Sequence, residues 1–245
     1  MTSWPYPLWI AHRGAGKLAP ENTLAAFRLG AGHGFRAFEC DVKLSADGVP
    51  FLLHDATLQR TSSGKGIAGK LDWSALARLD AGAWHSRAYA GEPLPSLDAI
   101  AAFCLCNGHA LNIEIKPTPG TEELTGRTVA LEAARLWSGA AVPPLLSSFE
   151  PAALRAAQAA APALPRALLL DSLRPGWFDE ACALGCAGIV TNYAVMDAAV
   201  LARVHAAGMR ALTYTVNDPA EVLRLVGMGI DGIITDAVDR FSPAL

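Results

Sequence analysis

Long apolar runs are missing from this chain: nowhere in its 245 residues is there a stretch of the roughly 20 needed to cross a bilayer, so no integral membrane segment is expected. Charge is scarce as well. Asp, Glu, Lys and Arg make up 18% and the net charge is −3, which offers no basic face for nucleic acid. Residues 1–8 lack a basic stretch followed by an apolar one, so no secretory signal is read and a cytoplasmic location is expected. The cysteines are an odd set of five (Cys40, Cys104, Cys106, Cys182 and Cys186), and no two have the spacing of a zinc knuckle. They are expected to be small buried apolar residues. Oligomeric state leaves no signal in the sequence.

What is present is apolar material in short pieces. Hydrophobic residues reach 52%, enough for a large core and too many for a disordered chain. Eight short apolar runs, at 8–11, 37–42, 111–115, 144–147, 166–170, 188–191, 210–215 and 232–235, alternate with Ala-rich helical segments. The helices are expected near 21–33, 96–106, 121–138, 150–160, 176–184, 197–207 and 218–227. This rhythm and length predict an α/β fold, a (β/α)8 TIM barrel, as a single domain over residues 1–245. One stretch breaks the rhythm: residues 55–94, read as a small insertion after the second barrel strand, of a kind more often functional or pocket-covering than random. Gly14-Ala-Gly16 and Gly64-Lys-Gly66 match neither a P-loop nor a dinucleotide fingerprint and are read as flexible loops.

The chemistry gathers at the C-terminal ends of the expected strands, the rim where barrel enzymes build active sites. Alternation along a strand puts Glu39 and Asp41 on one face with Cys40 on the other, and Glu114 ends the third strand. Three carboxylates form an all-oxygen ligand set suited to Mg²⁺, Ca²⁺ or Mn²⁺. The competing reading pairs them with Arg13 and Lys116 in a salt-bridge network at the barrel mouth. His12 and His54 end apolar runs facing the same cluster, and two imidazoles there can serve as base and acid. Arg13 and Lys116 would supply fixed charge to a phosphate. Phe149, Trp84, Tyr89 and Tyr214 are candidate pocket walls, Tyr214 with the best placement. His33, His85, His109 and His205 read as surface or loop residues.

The string His12-Arg-Gly-Ala-Gly-Lys-Leu-Ala-Pro-Glu-Asn-Thr-Leu-Ala-Ala-Phe27 resembles the opening signature of the glycerophosphodiester phosphodiesterase family. Glu39-Cys-Asp-Val42, His54-Asp55, Arg60-Thr-Ser-Ser-Gly64, Leu94-Pro-Ser-Leu97, Asn112-Ile-Glu-Ile-Lys116, Ser148-Phe149, Thr215-Val-Asn217 and Gly232-Ile-Ile-Thr-Asp236 follow in the family's order. The resemblance spans about residues 8–238. It implies a metal-dependent barrel hydrolase that converts glycerophosphodiesters such as glycerophosphocholine or glycerophosphoethanolamine to sn-glycerol 3-phosphate and an alcohol. By the same resemblance Glu39, Asp41 and Glu114 match the metal ligands and His12 and His54 the acid–base pair. Arg13 and Lys116 match the phosphate-binding residues. Tyr214 stands where a Trp is frequent, which alters the wall beside the substrate. Two rival readings stand beside it: a related phosphodiesterase acting on lysophospholipids or phosphoinositol lipids, and a non-catalytic barrel that binds a phosphorylated ligand.

Overall fold

A strand in a parallel barrel is buried on both faces and therefore reads as a short, nearly continuous apolar run. All eight expected runs form such strands. The computed structural model describes residues 4–241 and residue 243, so residues 1–3, 242, 244 and 245 of the expected 1–245 domain lie outside the described residues. The strands are β1 Trp9–Ala11, β2 Ala37–Leu44, β3 Pro50–Leu52, β4 Ala110–Ile115, β5 Leu145–Ser148, β6 Arg166–Leu170, β7 Gly188–Asn192, β8 Arg210–Tyr214 and β9 Gly232–Thr235. All but β3 are parallel neighbours, and the ring closes because β1 pairs with both β2 and β9. The α-helices are α1 Leu24–Gly32, α2 Trp73–Leu76, α3 Leu97–Asn107, α4 Glu122–Leu136, α5 Pro151–Ala160, α6 Trp177–Ala183, α7 Ala198–Ala206 and α8 Pro219–Met228. This is the (β/α)8 barrel.

Local chemistry sets the element ends. The Thr23 hydroxyl accepts from Ala26 N at 3.2 Å and caps α1. Pro219 occupies the first turn of α8, where its missing N–H costs nothing, and Gly229 ends that helix at φ +89°. Strand β2 runs two residues past its expected end because antiparallel β3 pairs with it there, Lys43 opposite Phe51.

Strand alternation sorts the core into two layers. Phe38, Cys40, Leu111, Ile113, Leu146 and Leu168 face the helices. Ile10, Ala37, Leu169, Val190, Leu212 and Ile234 fill the barrel interior. The insertion packs Leu58, Leu76 and Leu94 with Phe51 and Leu53, which precede it, in a small separate apolar cluster. No helix among the described residues is long and apolar enough to cross a membrane.

Two expectations need correction. Cys106 and Cys182 are exposed, whereas Cys40, Cys104 and Cys186 are buried as expected. His109 is no surface residue: it is 6% exposed, with its ring 5.2 Å from Phe38 and 5.5 Å from Phe103. The turn after α3 folds it under the helix layer.

Candidate active site

The inward parity of β2 and β4 carries polar residues only toward the rim. Ala37 lies low in the barrel, and Glu39, Asp41 and Lys43 follow at two-residue steps. Register places Glu39 opposite Asn112 and Asp41 opposite Glu114. The three carboxylates are 3%, 1% and 8% exposed, and one oxygen from each lies within 4.8 Å of the others. Asn22 holds Asp41 from both sides, donating from Nδ2 to Oδ2 at 2.7 Å and accepting from its backbone N at 3.1 Å. Asp41 Oδ1 is buried without a hydrogen bond, 3.4 Å from Lys116 Nζ. Lys116 Nζ donates to Glu114 Oε1 at 2.7 Å.

Burial and mutual repulsion dominate this cluster. Burial, then Asp41 and Glu114, push Glu39 well above the usual carboxylate range. Burial and Asp41 raise Glu114 to about 7, although Lys116 opposes them. Asp41 also suffers burial, but Arg13, Lys116, His54 and Asn22 outweigh it and hold its pKa low. Two of the three carboxyls are therefore pushed toward the protonated form despite the nearby Arg13 and Lys116. An orphaned buried oxygen, two under-compensated carboxyls and an all-oxygen donor set fit a hard divalent cation, and Glu39, Asp41 and Glu114 could hold one.

Each histidine has a carboxylate on Nδ1. His12 Nδ1 lies 2.7 Å from Asp236 Oδ1, and its Nε2 is 3.8 Å from Glu39 Oε2. Asp236 is fixed in turn by Asn217 Nδ2 at 3.1 Å. His54 Nδ1 lies 2.8 Å from Asp55 Oδ1. A carboxylate there holds the proton on Nδ1 and leaves Nε2 to exchange protons. Burial lowers the His54 pKa, helped by Arg13 and Lys116 against Asp41.

Arg13 is bent into the left-handed region at φ +51°, which non-glycine residues seldom adopt. Its backbone N donates to Glu39 Oε2 at 3.1 Å, and its guanidinium donates to Glu21 Oε1 at 2.9 Å. Nε lies 3.2 Å from Asp41 Oδ2 without hydrogen-bond alignment. Burial opposes its charge, but Asp41, Glu21 and Glu39 keep its pKa raised.

His12, Arg13, Glu39, His54, Glu114, Lys116, Phe149 and Tyr214 line one cavity of about 270 Å³. Asp41 lies just behind that wall, bonded to Asn22. Phe149 and Tyr214 meet edge to face at 5.8 Å, and Lys116 Nζ sits 5.6 Å from the Phe149 ring centroid. Trp84 and Tyr89 do not join this wall; they pack on His85 inside the insertion. The sequence reading gave no role to Glu21, Asn22, Asp55, Asn112, Asp171 or Asp236. An acid directly after His54 and another at the end of β9 were the available signals. Asn112 and Asp171 join the cavity wall only through ring closure.

Residues 12–240 match the glycerophosphoryl diester phosphodiesterase family. A glycerophosphodiester phosphodiesterase of Caldanaerobacter subterraneus subsp. tengcongensis is 30% identical over 233 residues, covering 94% of this chain and 93% of its own. An Oleispira antarctica phosphodiesterase, solved with the product sn-glycerol-3-phosphate, superposes with TM-score 0.88 at 34% identity, covering 94% and 93% of the two chains. A glycerophosphodiester phosphodiesterase of Agrobacterium tumefaciens superposes with TM-score 0.80 at 27% identity, covering 98% and 100%.

Proposed function

Because the chain belongs to the glycerophosphoryl diester phosphodiesterase family, we propose that it hydrolyses glycerophosphodiesters, such as glycerophosphocholine or glycerophosphoethanolamine, to sn-glycerol 3-phosphate and an alcohol. The domain is the whole barrel, with residues 55–94 as a small insertion in it. One observation carries the reading. Two histidines, each with a carboxylate on Nδ1, face a buried three-carboxylate cluster across one cavity edged by Arg13 and Lys116. A binding site for a phosphorylated ligand needs the cations but has no use for two carboxylate-held imidazoles.

Glu39, Asp41 and Glu114 would hold one divalent ion, Mg²⁺ or Ca²⁺ with Mn²⁺ also suited to the oxygen donors. When bound, such an ion lowers the pKa of a nearby hydroxyl and offsets phosphate charge. Arg13 and Lys116 bind the non-bridging phosphate oxygens, whose charge persists through the transition state. One histidine takes a proton at Nε2 from the attacking hydroxyl, either the substrate's own 2-hydroxyl or water, and the other gives one to the departing alcohol oxygen. If the 2-hydroxyl attacks, the two exchange roles while water opens the cyclic phosphate. Asp236 and Asp55 keep each Nδ1 proton in place throughout. The test is coupled detection of sn-glycerol 3-phosphate from both substrates with Mg²⁺, Ca²⁺, Mn²⁺ or chelator. Product that disappears with chelator is expected; no product with any ion would instead favour a binding barrel.

A further inference from the structure

Arg60, the first residue of the Arg60-Thr-Ser-Ser-Gly64 motif, takes no part in the phosphate or proton chemistry above, yet it joins the two sides of the site. Its Nε donates to Asp55 Oδ2 at 2.6 Å and its NH2 to Asp55 Oδ1 at 3.0 Å. The same guanidinium reaches Glu21, with NH1 to Oε2 at 2.9 Å and NH2 to Oε1 at 2.8 Å. Asp55 is the carboxylate on His54 Nδ1, and Glu21 Oε1 also accepts from the Arg13 guanidinium at 2.9 Å. An unbroken line of contacts thus runs Arg13–Glu21–Arg60–Asp55–His54. Both acids in it are ionised. Hydrogen bonds from Arg60 push Asp55 down to about 2, and Arg60 with Arg13 overcomes the burial of Glu21 to lower it as well.

The backbone that presents Arg60 is fixed. Leu58 and Thr61 on either side are buried, and the Ser62 hydroxyl donates to Leu58 O at 2.7 Å. Gly64 follows at a point where a Cβ would come within 2.6 Å of Leu79. Arg60 is therefore held by its segment and not left as a loose surface side chain.

We propose that Arg60 is a positioning residue for both halves of the site: its guanidinium forks onto Asp55 and Glu21 and through them seats the His54 ring and the Arg13 guanidinium around the cavity. The inference rests on the diesterase reading above. It assigns the insertion a task at the site, because the insertion delivers the group that locks two neighbouring loops together. Only an arginine suits the position, since a planar five-donor fork spans two carboxylates and a single ammonium does not. The Arg60 side chain is 44% exposed, so ion pairing there adds little stability and a small cation can enter the space it leaves.

The test measures kcat and KM of the full chain on glycerophosphocholine with the metal that supports the wild type. Glu21→Gln is expected to act mainly on KM, through Arg13, and Asp55→Asn mainly on kcat, through His54. Arg60→Ala is expected to lower kcat by about 10- to 100-fold and to raise KM as well, the usual scale for outer partners of a reacting group. Guanidinium chloride at a few tens of millimolar should restore part of the Arg60→Ala loss, whereas equal potassium chloride should not. Arg60→Lys keeps charge and bulk, is expected to show a similar loss, and decides the matter should Arg60→Ala fail to fold by circular dichroism. An active wild type with unaffected Arg60→Ala, with a loss that guanidinium leaves untouched, or with Arg60→Lys at wild-type constants overturns the proposal alone. A wild type without turnover overturns the diesterase reading and this proposal with it.

Discussion

His12 and His54 reach the same cavity with different partners behind them. The carboxylate on His12 comes from Asp236, 224 residues further along the chain, and the one on His54 from the very next residue. Replacing either histidine by alanine should cut turnover by at least ~10²-fold with the melting curve preserved, because each loses one of two proton transfers. Wild-type rates in both variants would remove the acid–base assignment. Asp236→Asn should cost about 10- to 100-fold in kcat, since an amide can present an N–H to Nδ1 and leave the wrong tautomer in place. Its KM should change little, because Asp236 touches no group expected to hold phosphate. A KM effect without a kcat effect would place Asp236 elsewhere in the reaction. Asp41 shows how a single residue is oriented: the two-way contact with Asn22 fixes Oδ2 and leaves Oδ1 without a hydrogen bond.

At the scale of elements, the β1–α1 loop was expected as a flexible glycine stretch, and the structure shows close packing of backbone on backbone. Gly16 sits at φ +57° with its Cβ position 2.2 Å from Asp236 Cα, so even a methyl group would push the β9 loop away. Gly14 is similarly tight against Ala26 and Phe27 in α1. Gly16→Ala should therefore destabilise the fold by about 1–3 kcal/mol from overpacking in denaturant unfolding. It should also lower kcat, because Asp236 moves off His12. Gly48→Ala is the matched control: φ is +82° but nothing lies within 4 Å, so it should cost about 1 kcal/mol and leave kcat alone. Equal kinetic effects of the two substitutions would refute the link through Asp236. The β2–β3 hairpin works similarly at larger scale, since its antiparallel pairing carries β2 past the rim and turns the chain toward His54.

At the scale of the whole molecule, barrel closure concentrates carboxyls that resist ionisation together, and this makes stability depend on pH. Glu114 titrates near 4.5 in an open chain and is raised to about 7 in the fold. Across that interval the native state holds a proton that the unfolded state has lost, so stability without metal is present below about 4.5 and declines as pH rises through about 7. A divalent ion on the ionised cluster should reverse the trend. Thermal melts in chelator from about pH 5 to about pH 8 should fall with pH, and Mg²⁺ or Ca²⁺ should raise Tm most at the upper end. Melts indifferent to ions at every pH would argue for the ion-pair network in place of a metal site. The apolar runs, their helical spacers, the shared face of Glu39 and Asp41 and the strand-end place of Glu114 were legible in the sequence, because strand period and burial are local properties. His12, His54, Arg13 and Lys116 were legible as strand-end residues suited to proton transfer and phosphate charge, and the family resemblance implied the same roles. Hidden from the sequence were the Asp236–His12 contact, the tight seat of Gly16, the burial of His109 and the Arg60 fork. Each depends on where a loop lands after the ring closes, and no periodicity within one segment encodes that. The sequence by itself determined that eight barrel strands would form and that Glu39 and Asp41 would share one face of the second. Only the tertiary structure decided which distant acid meets which base, because strand pairing around a closed ring sets those distances.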